Sequence, residues 1–197
     1  RLMVVTGLAY GSTLAPGLTW ANSGTDGGDL ISAAAVHGVA HPGGYPLYLL
    51  LARFFQSIIP GNLAFRTNVM SAIFTMAAVL LVYQTALRLL SDRPFSKLSA
   101  WSSALAFGIA PLVWSQAVIT EVYALQSLLT ALILYQSLSE DKSWHNDFIR
   151  GITVGLSLGN HLTSVFLLPL LLWDVRAFSK DVRRHIFRRL GGVLIGT

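Results

Sequence analysis

Two carboxylates stand in one short polar turn, Asp26-Gly27-Gly28-Asp29, directly after a stretch, Leu2–Thr25, that carries no charge. A carboxylate at a membrane–water boundary stays ionised at little cost and can meet both a lipid-borne and a water-borne reactant. Within hydrogen-bond reach of a hydroxyl, such a group takes the proton as the oxygen attacks, so Asp26 and Asp29 lead the candidates for general-base chemistry. If a helix begins here, three-residue spacing puts both on one side of its first turn. A plainer role also stands: Asp26 as the helix cap, with Asp29 at the favourable N-terminal end. The two roles are compatible, because a capped carboxylate is also a fixed one.

Three more groups join the candidates. His41 lies in the proline- and glycine-broken stretch His41-Pro42-Gly43-Gly44-Tyr45-Pro46, where a structural loop histidine is the alternative. Glu121 is the only carboxylate between Asp92 and Glu140 and sits beside an apolar run. Ionisable groups near spans are costly and raise a functional hypothesis; a helix-terminal acid is the alternative. His161, next to Asn160, interrupts the apolar stretch Gly151–Trp173, where a histidine bonded to backbone would be the bland account. There is no H-E-x-x-H spacing and no glycine-rich phosphate loop. A divalent metal is chemically compatible with these scattered residues, but no spacing supports one.

The elements that must position these groups read as membrane helices. The chain is 53% apolar and 12% charged, against roughly 25% charged in an ordinary soluble domain. Uncharged runs at Leu2–Thr25, Thr67–Leu87, Leu98–Thr120, Val122–Ser139 and Gly151–Trp173 approach or exceed the ~20 residues of a spanning helix. The expected spans are Leu2–Trp20, Ala64–Leu90, Leu98–Ser115, Thr120–Leu138 and Arg150–Trp173. The fold class is thus an all-α multi-pass membrane protein. The first run lacks the basic leader and cleavage site of a signal peptide. The net charge of +5 belongs to basic residues beside spans, which argues for membrane orientation and against nucleic acid. The absence of cysteine excludes disulfides and thiolate metal sites.

Residues 21–63 form a long first loop. In it, Asp29–Val39 is alanine-rich and favours a helix. From Leu47 to Ile59, Leu47, Leu50, Leu51, Phe54, Phe55, Ile58 and Ile59 share one helical face, with Arg53, Gln56 and Ser57 off it. That pattern predicts a helix lying along the membrane surface. Arg88, Arg93 and Lys97 place the second connection in the cytoplasm, with weaker agreement from Lys142 and Arg150, so the Asp26/Asp29 loop faces out. A single span at Gly151–Trp173 would then put Arg176, Lys180, Arg183, Arg184, Arg188 and Arg189 outside as well. Two half-helices meeting near Gly159-Asn160-His161 would repair this, each of about ten residues reaching only ~15 Å. An outer-surface basic helix attracting anionic lipid is the alternative. The start at Arg1 and the apolar Gly191–Thr197 suggest part of a longer chain.

Together these blocks resemble the transmembrane protein 260 type of protein O-mannosyltransferase, with its bacterial relatives grouped as domain of unknown function 2723. That family opens with an apolar span ending in Leu-Ala-Pro-Gly, an Asp-x-Gly-Glu turn, an alanine-rich helix and a His-Pro-Pro-Gly-Tyr-Pro-Leu-Tyr block. Here these read Leu14–Trp20, Asp26–Asp29, Ile31–Val39 and His41–Tyr48. Further matches are Phe65-Arg66-Thr67-Asn68 with Met70-Ser71-Ala72, Glu121–Leu125, and Gly155–His161. Asp29 stands where the family usually has glutamate, and Gly43 replaces the second proline.

The resemblance implies a GT-C-like transmembrane helix bundle whose long first outer loop carries interfacial helices. Residues 1–197 would be its N-terminal catalytic module. It implies an inverting transferase moving a sugar, mannose for example, from a polyprenyl-phosphate donor to a hydroxyl of a protein or glycan acceptor on the outer face. Asp26 matches the leading aspartate and takes the role of base. Asp29 and Glu121 would orient base or acceptor, and Arg66 with His161 would support phosphate or sugar. Arg53 and His41 are further donors, and Tyr45, Tyr123 and Asn160 complete the substrate-binding candidates. Closeness to bacterial members points to a bacterial inner membrane. A transporter or lipid-carrier flippase is the rival, since broken helices and membrane-level acids serve those too; the sequence has no internal repeat to favour it.

Overall fold

The computed structural model describes residues 1–139, 143–172 and 182–197. Within them all regular structure is helical, as the composition predicts: α1 Leu2–Thr13, α2 Gly27–Ala35, α3 Pro46–Ile58, α4 Leu63–Leu89, α5 Ser96–Ile109, α6 Pro111–Ala117, α7 Tyr123–Ser137, α8 Trp144–Asn160 and α9 Val182–Gly196. Segments of 3-10 helix occupy Ala21–Ser23 and Leu162–Leu172. Lys142, Trp173, Arg176 and Lys180, used above to argue topology, lie outside the described residues.

Local breakers shorten the expected spans. Helix α1 stops after 12 residues, roughly 18 Å, because Pro16 has no N–H to donate and forces Ala15 out of helical geometry. From Leu14 to Trp20 that run is non-helical and pinned in place. Asn68 Nδ2 donates to Ala15 O at 2.9 Å and Gly17 O at 3.2 Å, and Asn62 Nδ2 to Pro16 O at 2.9 Å. The expected span Leu98–Ser115 breaks at Pro111, where α6 turns 63° from α5. Among the described residues, α4 alone is long and apolar enough to cross a membrane, or two segments if α5 and α6 count as one bent span. The five expected spans are therefore reduced on helix length, by proline at Pro16 and Pro111 and by the extended backbone at His161.

Helices α4 and α7 run side by side in one direction. Thr67 meets Thr120 at one end (Oγ1–Oγ1 2.6 Å), and Arg88 bonds Tyr135 Oη at 2.6 Å at the other. The first of these ends collects the C-termini of α1 and α8 and the N-termini of α4 and α7. There α2 and α3 pack against Met70, Val122, Leu125 and Leu129 through Leu30, Ala33, Ala34, Tyr48, Leu49 and Ala52. Helix α3 divides its apolar residues differently from the expected single face. Tyr48, Leu49, Ala52 and Gln56 are buried, while Leu50, Phe54 and Ile58 remain exposed. The neighbouring helices claim one edge of the stripe and leave the other as an apolar surface.

The break expected near Asn160 is present. Helix α8 ends at His161, whose backbone is extended (φ −155°, ψ 129°), and the chain doubles back. Ser164 Oγ donates to Ser157 O at 2.8 Å, and Leu171 packs on Val154 and Ile133. The returning arm is a 3-10 segment containing Pro169, where a second α half-helix was expected. Helix α9 meets α8 through two glycine pairs, Gly151/Gly155 and Gly192/Gly196. A Cβ on Gly151 would lie 2.9 Å from the Arg189 carbonyl carbon, and one on Gly192 would lie 2.8 Å from Ile152 N. Only glycine permits that backbone approach, the small-xxx-small packing common between membrane helices.

Candidate active site

Asp26 occupies the N-cap position of α2, yet its side chain makes no capping hydrogen bond. The plain capping role is thus not what holds it. Its backbone is held instead: Asp26 N–H donates to Glu121 Oε1 at 3.3 Å, and the adjacent Gly27 packs tightly against the carbonyl of Thr120, 3.2 Å from where a Cβ would stand. The Asp26 carboxylate stays half-exposed, 47% accessible, on a backbone fixed from beneath.

Asp29 is engaged by His41. It accepts from the His41 backbone N–H and lies at the same 2.8 Å from the ring Nδ1. The backbone hydrogen bond first, then the ring contact, hold the Asp29 carboxyl below its ordinary value. With Nδ1 directed at Asp29, the other ring nitrogen, Nε2, points to Asp26, 3.7 Å from Oδ2. The ring also packs edge-on against Tyr45, centroids 5.2 Å apart. Tyr45 has positive φ (45°), a left-handed conformation costly for a side-chain-bearing residue and the more so before Pro46, which favours extended geometry in the residue it follows.

Glu121 is buried, 2% exposed, in the link between α6 and α7. Burial pushes its carboxyl upward, more than the Asp26 N–H bond pulls it down, and the Asp26 charge adds to the rise. The sequence singled out Glu121 but not what seats it. Thr120 Oγ1 donates to Asn68 Oδ1 at 2.6 Å and touches Thr67, and all three are buried. Asn68 therefore ties the α1 exit to the Glu121 link. Its signal was visible as an amide inside an otherwise apolar span.

A pocket of about 380 Å³ opens beside this turn, lined by Pro42, Gly43, Tyr45 and the α8 reversal at Leu158–Leu162. His161 Nδ1 accepts from Thr163 N–H at 3.3 Å, so in the neutral ring Nε2 carries the proton and can donate. Tyr123 packs on the same ring at 5.6 Å. Asn160 is buried and donates to Gln126 Oε1 at 3.1 Å, while Gln126 Nε2 donates to Ser164 Oγ at 2.7 Å and Ser157 Oγ at 3.0 Å. This amide–hydroxyl network, with Gln126 unforeseen from sequence, holds the reversal that presents His161.

All nine candidates lie at one end of the bundle, eight of them being Asp26, Asp29, His41, Tyr45, Glu121, Tyr123, Asn160 and His161. Arg66 is the ninth. Its hydrogen bonds go to Gly61 O (2.9 Å) and Gln56 O, at the end of α3, and it does not line the pocket. Arg53 likewise donates to Ala34 O at the end of α2 (3.3 Å). Both arginines serve helix C-termini, where cations complement exposed carbonyls. Among the described residues no group of three or more His, Cys, Asp or Glu could hold a metal ion.

Residues 26–183 match the family described as the protein O-mannosyl-transferase TMEM260 N-terminal domain. A mouse protein named protein O-mannosyl-transferase TMEM260 is 31% identical over 166 residues, covering 80% of this chain and 23% of its own length. A Dictyostelium discoideum protein of the same name is 33% identical over 116 residues, 57% of this chain and 14% of its own. The chain therefore spans about a quarter or less of these relatives. No solved structure matches. With a family match that begins at Asp26 and runs through His161, the chain belongs to the TMEM260 N-terminal domain family.

Proposed function

We propose that this chain is the catalytic N-terminal module of a multi-pass, GT-C-type inverting glycosyltransferase. It moves a sugar, mannose by analogy with the named relatives, from a polyprenyl-phosphate carrier to a Ser/Thr hydroxyl on the outer face of a bacterial inner membrane. The observation that carries the reading is Asp26: a half-exposed carboxylate free of capping duty, on a backbone locked to Glu121, beside a pocket rimmed by Tyr45 and His161.

In this mechanism the acceptor hydroxyl gives its proton to Asp26 while its oxygen bonds the anomeric carbon. The bond from that carbon to the carrier phosphate oxygen breaks, and its electron pair leaves with the phosphate. Asp29 holds His41 so that Nε2 can receive the proton from Asp26 and restore the carboxylate. His161 Nε2–H donates to the sugar or the leaving phosphate, whose growing charge needs such donors. Leu162, 80% exposed at the pocket's edge, gives it an apolar flank suited to a prenyl chain. Arg66 has no part in this scheme, since its guanidinium already serves helix α3.

The test uses full-length protein in membranes with polyprenyl-phosphate sugars, comparing wild type with Asp26→Asn. Transfer should fall by about 10²–10⁴-fold with folding and donor binding intact. Equal transfer by the variant would remove Asp26 from the chemistry. No transfer by either protein across several carriers would bring the flippase reading forward.

A further inference from the structure

At the end of the bundle away from Asp26, two cavities share a wall. One, of about 450 Å³, is lined by Arg88, Leu89, Ser91, Leu138 and Ser139. The other, of about 220 Å³, is lined by Thr85, Leu89, Leu134, Ser137, Leu138 and Leu170. Leu89 and Leu138 belong to both, so a polar mouth adjoins an apolar chamber. Thr85, Arg88 and Leu89 share one face of α4, and Leu134 and Leu138 share one of α7, by their spacing of three and four.

Arg88 is exposed and steadied from α7. Its guanidinium lies 3.6 Å over the Tyr135 ring, and Nη1 and Nη2 donate to Tyr135 O and Oη. Those bonds use two of a guanidinium's five N–H donors, and the others suit a phosphate. The rise along α4 from Thr67 to Arg88 is about 31 Å, which matches the hydrocarbon core of a bilayer. With the Asp26 end at one interface, Arg88 stands level with the headgroups of the other. Positive charge collects there. Arg93 and Lys97 follow in the connection to α5, against Asp92 alone. Helix α9 brings Arg184 and Arg188 to the same end, because Asp147 in the first turn of α8 engages His185 and Arg189. A lipid with an anionic headgroup answers both cavities: its phosphate meets Arg88, and an acyl chain fills the apolar chamber. The buried Thr85 hydroxyl has no hydrogen-bond partner among the described residues, and the ester carbonyl between headgroup and chain supplies an acceptor.

We propose that this α4–α7 cleft binds an anionic phospholipid of the leaflet opposite the Asp26 turn, with its phosphate on Arg88 and an acyl chain along Leu89, Leu134 and Leu138. The site rests on the membrane placement in the proposed function and not on Asp26 as base. The experiment delipidates the full-length protein in detergent, adds phosphatidylglycerol, and reads bound lipid by native mass spectrometry alongside the thermal midpoint. The lipid should bind and raise the midpoint. Arg88→Gln should weaken binding about tenfold, with partial rescue by Arg88→Lys. Because Arg88→Gln also loses Tyr135, Ser91→Asp sets a like charge in the mouth and leaves that contact alone. It should lose the lipid while keeping the lipid-free midpoint of wild type. Wild-type affinity in Ser91→Asp, or equal binding of phosphatidylcholine, would overturn the site. Displacement of phosphatidylglycerol by equimolar undecaprenyl phosphate would overturn the phospholipid assignment in favour of the sugar carrier. An Asp26→Asn protein that transfers normally would remove the base and leave this site standing.

Discussion

The molecule contains two aspartate–histidine clusters of opposite character. At one end, His41 sits between Asp29 and Asp26, whose side chains are 48% and 47% exposed. On the α8–α9 pair, Asp147 accepts from Arg189 Nε at 2.8 Å and lies 2.5 Å from His185 Nδ1, with Asp147 and Arg189 almost fully buried. Asp147 also lies in the first turn of α8, where the helix dipole favours a negative charge. The buried carboxylate has both oxygens engaged, by an arginine and a histidine, and holds two helices together. The open one has a carboxylate, Asp26, with no charge partner closer than 3.7 Å. Identical residue types become a buried structural tie or an accessible cluster according to burial and the count of partners.

The largest effects should fall on opposite properties in the two clusters. Asp147→Ala removes the buried carboxylate that accepts from Arg189 Nε and engages His185 Nδ1, and should cost about 3–5 kcal/mol of stability, read as a lowered thermal midpoint in detergent. Asp26→Asn should leave that midpoint nearly unmoved while abolishing transfer. If Asp147→Ala unfolds no more easily than Asp26→Asn, the contrast between the clusters collapses. Next comes the glycine seam beside the buried cluster. Gly192→Ala drives a methyl into the α8 backbone and should cost about 1–3 kcal/mol, whereas Gly191→Ala, which meets nothing within 4 Å, should cost nothing. Equal midpoints for the two variants would mean that α8 and α9 do not pack through these glycines.

The smallest effect belongs to Asp29. Its carboxyl is held below the ordinary 3.8, so the stability it contributes is present above that pH and fades as pH falls through its lowered folded value. Asp29→Asn should flatten the pH dependence of unfolding in that acid window and slow transfer about tenfold, because the amide still accepts from His41 N–H but cannot hold the ring by charge. A variant with wild-type rate would show that His41 is oriented by Tyr45 alone.

Much of the candidate site was legible in sequence. Acids and histidines in an apolar chain stand out because each is costly there, and spacing in the Asp26–Asp29 turn and the His41–Tyr45 block identified their loop. The reversal at Asn160-His161 was legible from charge balance alone. Less visible was the fate of the arginines. Arg53 and Arg66 looked like phosphate donors, but whether a guanidinium faces a substrate or a helix end depends on which carbonyls the fold brings within reach. The buried Asp147–Arg189 tie was hidden for the same reason: its partners are 42 residues apart and meet only when α9 packs on α8.

The sequence by itself determined the helical class, the break at Asn160-His161 and which acids and histidines are candidates, while the breaks at Pro16 and Pro111 interrupt spans that apolar composition predicted as continuous. Proline geometry, apolar composition and the cost of charge are local properties that act before any packing. Only the tertiary structure decided that Asp26 is released from capping, that Glu121 is buried beneath it, and that Arg66 is engaged by the end of α3. Those outcomes depend on contacts between distant residues, such as Thr120 with Asn68 and Gly27 with Thr120, whose distances no local pattern encodes.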